Sequence, residues 1–425
     1  MSQPTKHPSP ALQLHRWRDP VIVAVALCAM AAGFGQFGVV AALGDVARTY
    51  GQVHDGASLT DQAGLSGTEL GIGLAIVRLA SIGALPLTGL ADRFGRRRML
   101  RISLVVGLAV TVAAVGSPGY WFFVAVFALG RPFLSATAAL SQVVAAEQTA
   151  SGQRTRALAL VTAGYGLGAG LTAVIHSLAS STLGFRGLFA LAVVPLLVVP
   201  VTARWVTEPD RFAVAAAAVH HPVPVLGAVG PRFRRRMLVL VGLSFAVAVV
   251  TGPANTFVFL YAQNVRHLAG GSTAAMVAAA GMAGLGGLLV GRRLADRIGR
   301  RPTGAMAMVG IVVGATLTYS GSSLALVVGY VFGVLAGGVL APAAGALVSE
   351  LFPTGVRASV AGWWLVAGVL GAVGGLVAFG AIADLGNRFS LAAVLLFLPA
   401  ASAAGLFWCV PETRGREPED LWPDG

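Results

Sequence analysis

Gly89-Leu90-Ala91-Asp92-Arg93-Phe94-Gly95-Arg96-Arg97-Arg98-Met99-Leu100 closes one long apolar run and opens the next. One carboxylate stands at the end of the run, and arginines crowd the turn behind it. A second copy, Leu294-Ala295-Asp296-Arg297-Ile298-Gly299-Arg300-Arg301-Pro302, follows with Asp296 lying 204 residues after Asp92. Apolar runs that stop at basic turns are what a chain threading back and forth through a bilayer requires, because basic residues stay on the cytoplasmic side. The two copies therefore read as one cytoplasmic turn used twice.

The composition agrees with that reading. Of 425 residues, 56% are hydrophobic and 11% charged, and the mean hydropathy is +0.79. A soluble domain carries roughly a quarter charged residues, so the bilayer is the natural solvent for this chain. The net charge of +13 sits in short clusters between apolar runs. That leaves no continuous basic face for nucleic acid. Cys28 and Cys409 lie inside apolar runs and read as packing residues. The tail from Met1 to Asp19 is polar and Pro-rich and reads as disordered. The run from Val21 to Gly44 is too long for a signal-peptide core and reads as a retained helix.

About twelve spanning runs follow, near 21–45, 66–90, 99–117, 120–142, 157–181, 186–206, 237–262, 272–294, 303–320, 323–347, 357–383 and 389–410. Each crosses ~30 Å of hydrocarbon as a helix. Their continuous apolarity, without period-2 alternation, predicts helices rather than a barrel. With a cytoplasmic N-terminus, 24 of the 30 basic residues fall on the inner side and 4 on the outer side. Arg78 and Arg131 remain inside helices. The expected protein is multi-pass in the plasma (inner) membrane, with both termini cytoplasmic.

Further landmarks repeat at the same interval. Glu147 and Glu350 are 203 apart, and each precedes an arginine, Arg154 or Arg357, by seven residues. Leu183 and Leu385 begin similar tetrapeptides 202 apart, and Glu208 and Glu412 are 204 apart. The chain thus reads as an all-α membrane protein of two parallel six-helix bundles. The predicted parts are a tail over 1–18, a first bundle over 19–206, a linker over 207–236, a second bundle over 237–410 and a tail over 411–425.

These motifs resemble the major facilitator superfamily over nearly the whole chain. The family's turn after its second helix reads G-x-L-A-D-R-x-G-R-K/R. Leu90, Ala91, Asp92, Arg93, Gly95, Arg96 and Arg97 match it, while Thr88 replaces the first glycine. In the second copy Leu294, Ala295, Asp296, Arg297, Gly299, Arg300 and Arg301 match, with Arg292 at the glycine. Glu350-Leu351-Phe352-Pro353-Thr354-Gly355-Val356-Arg357 and Pro411-Glu412-Thr413-Arg414-Gly415 resemble segments of the metabolite:proton symporter and sugar-porter branches. The resemblance implies that Asp92 contacts the start of helix 11 and latches one alternating-access state. Arg93, Gly95, Arg96, Asp296, Arg297, Gly299, Glu147, Arg154, Glu350 and Arg357 join it as the expected gating set. Anchoring of topology accounts equally for the arginines, but it does not need an acid.

Charges inside the membrane point to a site, because they are costly there and normally face a cavity. Adding 204 to Arg78 and Arg131 reaches Met282 and Leu335, so neither arginine repeats. The resemblance also places a family arginine in helix 4 at Arg131, although Leu134 and Ser135 replace the Gln and Gly of its motif. The expected substrate-binding set is Arg78, Arg131, Gln36, Tyr165, Asn255 and Trp363. Neighbour packing is the competing role for each. Gly164, Gly166, Gly168 and Gly170 form a predicted small-residue face for close helix approach.

No Asp or Glu falls mid-helix, and Gly35 stands where sugar porters carry an acid in helix 1. Asp45, Glu69 and His176 lie toward outer helix ends and are the candidates for proton coupling. A pocket with two arginines and no fixed anion suits a small anion such as a carboxylate. No Walker motif, metal-ligand cluster or catalytic constellation occurs. The expected protein is therefore no enzyme, needs no cofactor or metal, and works as a monomer in the bilayer. It moves a small polar or anionic metabolite by alternating access, with proton coupling implied by the resemblance. The alternatives are a proton-driven multidrug efflux antiporter and, from another class, a non-transporting sensor or assembly protein of the same fold.

Overall fold

The computed structural model describes residues 16–54, 63–149, 151–208, 226, 229–385, 388–416 and 422. Residues 1–15 of the predicted tail, much of the linker and the end of the C-terminal tail lie outside the described residues. The protein is an all-α integral membrane protein. Eleven of its described helices are long and apolar enough to cross a bilayer. They are α1 (Pro20–Ala41), α2 (Gly67–Ala91), α3 (Arg96–Gly116), α4 (Tyr120–Gln148), α5 (Arg156–Ala179), α6 (Thr182–Val199), α7 (Pro231–Val265), α8 (Gly270–Ile298), α10 (Ser323–Glu350), α11 (Ser359–Asp384) and α12 (Phe389–Cys409). The twelfth predicted span is α9 (Arg300–Thr318). Two arginines and a proline in its first turn shorten its apolar stretch. It nonetheless packs closely along α10, where a Cβ on Gly314 would strike the backbone of Gly333 and Gly329.

Local chemistry explains where the helices start and break. Pro231 and Pro20 occupy first-turn positions, where a missing N–H costs nothing. The helix α7 thereby takes in the basic residues 232–236, which the sequence reading placed in the linker. A 3₁₀ turn at Ser81–Gly83 interrupts α2 just beyond Arg78. Pro86 explains it, because proline cannot donate to the carbonyl four residues earlier, at Ile82. Ser66 and Glu69 form a capping box at the start of α2. Non-helical backbone at Ala179 ends α5, and a second break at Gly184 falls within the first turn of α6, whose apolar span starts at Thr182, earlier than predicted.

Each bundle has its own packing logic. In the first, α1 lies tightly along α5: a Cβ on Gly164 would meet the Ala26 carbonyl, and one on Gly168 the Met30 carbonyl. Gly166 and Gly170 have nothing near a Cβ. The four-glycine face predicted from sequence is therefore two glycines. Residues four apart share a helix face, while those two apart do not. Aromatic rings knit the bundles at the end opposite the Asp-Arg turns. Phe123, Phe127, Phe185 and Phe189 interlock in the first, and Tyr261, Tyr319, Phe379, Phe389 and Phe397 in the second.

The bundles meet at that same end. Asp384, at the end of α11, reaches across to the start of α2. Gly67 and Thr68 donate their N–H groups to its carboxylate at 2.7 and 2.8 Å, and the Thr68 hydroxyl donates as well. Arg48 donates from Nε to the Asn264 amide oxygen at 3.0 Å with that amide in its satisfied orientation. Phe37 stands edge-on to Phe259. Close backbone contact of α2 with α11 is permitted by Gly71 and Gly380, and of α5 with α8 by Gly270. Every inter-bundle hydrogen bond between described residues lies at this end.

Candidate functional site

Between the bundles lies a cavity of about 260 Å³. Its first-bundle wall carries Gln36, Arg78, Arg131 and Tyr165, and its second-bundle wall carries Thr251 and Asn255. A second space of about 420 Å³ shares Gln36, Arg78 and Arg131 and extends past Ser81, Ala84 and Thr88 toward the Asp-Arg turns. The two arginines thus stand where both spaces join. No acidic residue appears among the described lining residues of either space.

The polar groups are partly committed. Arg131 is 8% exposed. Its Nη1 donates to the Gln36 backbone carbonyl at 3.2 Å, while its Nε is buried without a partner. Tyr165 donates its hydroxyl to Gln36 Oε1 at 3.4 Å. The Arg78 side chain has no hydrogen-bond or ion-pair partner among the described residues; it is exposed and opens into the cavity. Arg131 is the desolvated member of the pair, and a buried charge with an unpaired donor is expensive, so an anion beside it is favoured.

Five of the six residues expected to bind substrate therefore line one cavity. Trp363 does not; its neighbour Trp364 lines the larger space. Helical rotation of about 100° per residue separates the two indoles.

The expected proton-coupling residues divide. His176 is buried and its Nε2 lies 2.8 Å from Asp45 Oδ2, while its Nδ1 is buried without a partner. Glu69 is elsewhere: its carboxylate accepts from the Ser66 N–H and hydroxyl in the capping box. The sequence signal for that role, Ser66-x-x-Glu69, was available.

The Asp-Arg turns repeat almost atom for atom. Gly95 has φ +95° and Gly299 φ +107°, the left-handed region that glycine favours. Behind each glycine a carboxylate from the end of the same bundle caps the next helix. Glu208 accepts from the N–H of Arg96 and, at 3.1 Å, of Arg97. Glu412 accepts from Arg300 at 2.9 Å and Arg301 at 3.0 Å. Burial tends to raise the Glu412 pKa, but four backbone N–H bonds outweigh it and hold the carboxyl below its ordinary value. A second acid pairs with the arginine side chain: Glu147 lies 2.8 Å from Arg96 and Glu350 3.1 Å from Arg300. Arg154 and Arg357, seven residues beyond those acids, are not their ion-pair partners. Arg357 instead donates to the Phe352 carbonyl at 3.3 Å. Asp296 approaches Arg300 at 3.4 Å from a largely exposed position. Arg93 and Arg297 are exposed. The Asp92 side chain lies outside the described residues. Glu208 and Glu412 are the functional-site acids that sequence reading left without a role, although their spacing marked them as a pair.

Comparison with known proteins decides the class. The sequence profile of the Major Facilitator Superfamily matches residues 25–317. The chain belongs to the Major Facilitator Superfamily. The profile "Sugar (and other) transporter" matches residues 221–422. A "Probable 4-methylmuconolactone transporter" of Cupriavidus pinatubonensis is 28% identical over 374 residues, covering 86% of each chain. A "3-(3-hydroxy-phenyl)propionate transporter" of Escherichia coli is 36% identical over 136 residues, covering 31% of this chain and 32% of that one. The inward open xylose transporter XylE of E. coli superposes with a TM-score of 0.74 at 19% identity, covering 95% of this chain and 99% of that one. As a superfamily member, the protein is a secondary transporter of small metabolites and not an enzyme.

Proposed function

We propose that the cargo is a small organic carboxylate, taken up with a proton. One observation carries this reading: Arg78 and Arg131 line one cavity with no carboxylate among its described lining residues, and Arg131 keeps an unpaired donor. A bidentate carboxylate satisfies such a pair. Two relatives, named for transport of 4-methylmuconolactone and of 3-(3-hydroxy-phenyl)propionate, support the same class. Entry of an anion against a negative-inside potential costs about 2.3 kcal/mol per 100 mV, and one accompanying proton cancels that cost. The Asp45–His176 pair is the proposed proton station, because the buried His176 ring holds its Nε2 2.8 Å from the Asp45 carboxylate and its Nδ1 without a partner. The excess of arginines at the turns supports both termini being cytoplasmic in the inner membrane. The chain then functions as a monomer. Asp92 is the proposed latch to the start of α11 once the basic end closes.

Reconstitution into proteoliposomes with an imposed pH gradient tests the reading. Carboxylate uptake that rises with an inward proton gradient, and falls in Arg131→Ala and Arg78→Ala, is expected. Uptake of amphiphilic cations alone, insensitive to both substitutions, would overturn it. Asp92→Asn is expected to change accessibility labelling of the cavity without changing substrate preference. His176→Gln is expected to uncouple uptake from the gradient; gradient-driven uptake at the native level sinks the proton assignment.

A further inference from the structure

The second-bundle wall of the cavity carries no charge, but it borders another space. A chamber of about 210 Å³ shares Thr251 and Asn255 with the central cavity and is closed by α9 and α10. Ile311, Ala315, Tyr330 and Gly337 lie along it. No charged residue is among its described lining residues.

Three features of the chamber are unexplained by packing. The first is Tyr330, 8% exposed, whose hydroxyl has no hydrogen-bond partner among the described residues. The other five tyrosines are all engaged. Tyr50, Tyr120, Tyr165 and Tyr319 donate to oxygens of the protein, and Tyr261 bonds to the Gly321 backbone. The hydroxyl is not sealed off by protein atoms, so a ligand in the chamber that Tyr330 lines can supply the missing partner. The second is Asn255. Its Nδ2 donates to the Thr251 carbonyl at 2.8 Å, and its Oδ1 has no partner among the described residues at the border of the two spaces. The third is Gly337. Its neighbour on the same helix, Gly329, is needed because a Cβ there would strike the backbone of α9. At Gly337 a Cβ would meet nothing within 4 Å. Helix contact does not require that glycine, and its missing side chain leaves the chamber open.

We propose that this chamber is the specificity pocket for the cyclic part of the cargo. It takes an aromatic or lactone ring bearing an oxygen substituent, while the carboxylate stays on Arg78 and Arg131; this rests on the carboxylate reading above. The volume fits, since an apolar cavity of about 150 Å³ is enough for benzene. Apolar walls favour the ring and offer nothing to its charge. Tyr330 donates to a ring carbonyl or ring oxygen, and Asn255 Oδ1 accepts from a ring hydroxyl. Such groups discriminate strongly, because a ligand lacking the oxygen leaves them unpaired.

The test uses the full chain in proteoliposomes, with uptake of labelled 3-hydroxybenzoate competed by unlabelled benzoate and lactate. An added Cβ at Gly337 meets nothing within 4 Å, so Gly337→Ala and the bulkier Gly337→Leu are the variants that narrow the chamber. Both are expected to lower the preference for ring acids over lactate, at least tenfold for leucine. Tyr330→Phe is expected to abolish the preference for 3-hydroxybenzoate over benzoate. Unchanged preference ratios in Gly337→Leu and Tyr330→Phe overturn the pocket while leaving the carboxylate reading intact. If Gly337→Leu does not assemble, Gly337→Ala and Tyr330→Phe decide by the same ratios. A native protein that moves none of the three acids overturns both readings together.

Discussion

The Asp-Arg turns and the central cavity treat the internal repeat in opposite ways. At the turns the repeat survives down to single hydrogen bonds: Gly95 and Gly299, Glu208 and Glu412, Glu147 and Glu350 occupy matching places. In the cavity it is broken. Arg78 and Arg131 face a wall with no charge, and their counterparts by offset are Met282 and Leu335. The turns fix how each bundle holds together as a body, and both bundles need the same solution. In the cavity the two walls differ: the first bundle supplies Arg78 and Arg131, and the second supplies the uncharged Thr251 and Asn255. Duplicated residues in this chain mark mechanics, and unduplicated ones mark chemistry.

Breaking the cavity side is expected to give the largest effect. Arg131→Ala removes a charged donor from the proposed cargo site and is expected to cost about 2–3 kcal/mol, roughly 30- to 150-fold in transport efficiency, measured as initial uptake rates. Arg131→Lys should not rescue it, because an ammonium lacks the planar fork. The mechanical side comes next. Gly299→Ala forces a side chain into φ +107° and against Glu412, and is expected to destabilise the second bundle by about 1–3 kcal/mol in thermal unfolding. Gly95→Ala is expected to do the same to the first. Equal losses would sharpen the mechanical equivalence of the turns; a loss at one alone would break it.

Asp384→Asn weakens an inter-bundle latch at a helix N-terminus. It is expected to shift the population toward opening at that end by about 1 kcal/mol, or about fivefold, in cysteine accessibility of the cavity. The smallest effect is expected at Glu412. Its folded-state pKa is depressed, so its contribution is present above the ordinary carboxylate pKa and is lost as pH falls through the depressed value. Thermal stability should therefore decline on acidification more in the native chain than in Glu412→Gln. Parallel pH profiles would contradict that assignment.

Much of this was legible in order along the chain. Hydropathy indicated the number of spans, because a bilayer imposes a length rule that acts on each segment separately, and landmarks at a constant interval and the Asp-Arg motif indicated the repeat and the superfamily. The same rules exposed Arg78 and Arg131, since a charge in an apolar run is conspicuous wherever it points. Relations between distant segments were not legible. The sequence shows Asp384, Glu208 and Glu412 as acids near helix ends, but their targets lie 317, 112 and 112 residues away. Only packing chose Trp364 over Trp363 for the cavity, Gly164 and Gly168 over Gly166 and Gly170 for the α1 contact, and Arg96 over Arg154 as the partner of Glu147. Helical phase and the meeting of two bundles set those choices, and neither is a property of any one segment. The sequence by itself determined a membrane transporter built twice over. The tertiary structure decided that the two copies share the carboxylate-capped Asp-Arg turn and that only the first places charge on the cavity wall, because helical phase and the meeting of the bundles set both.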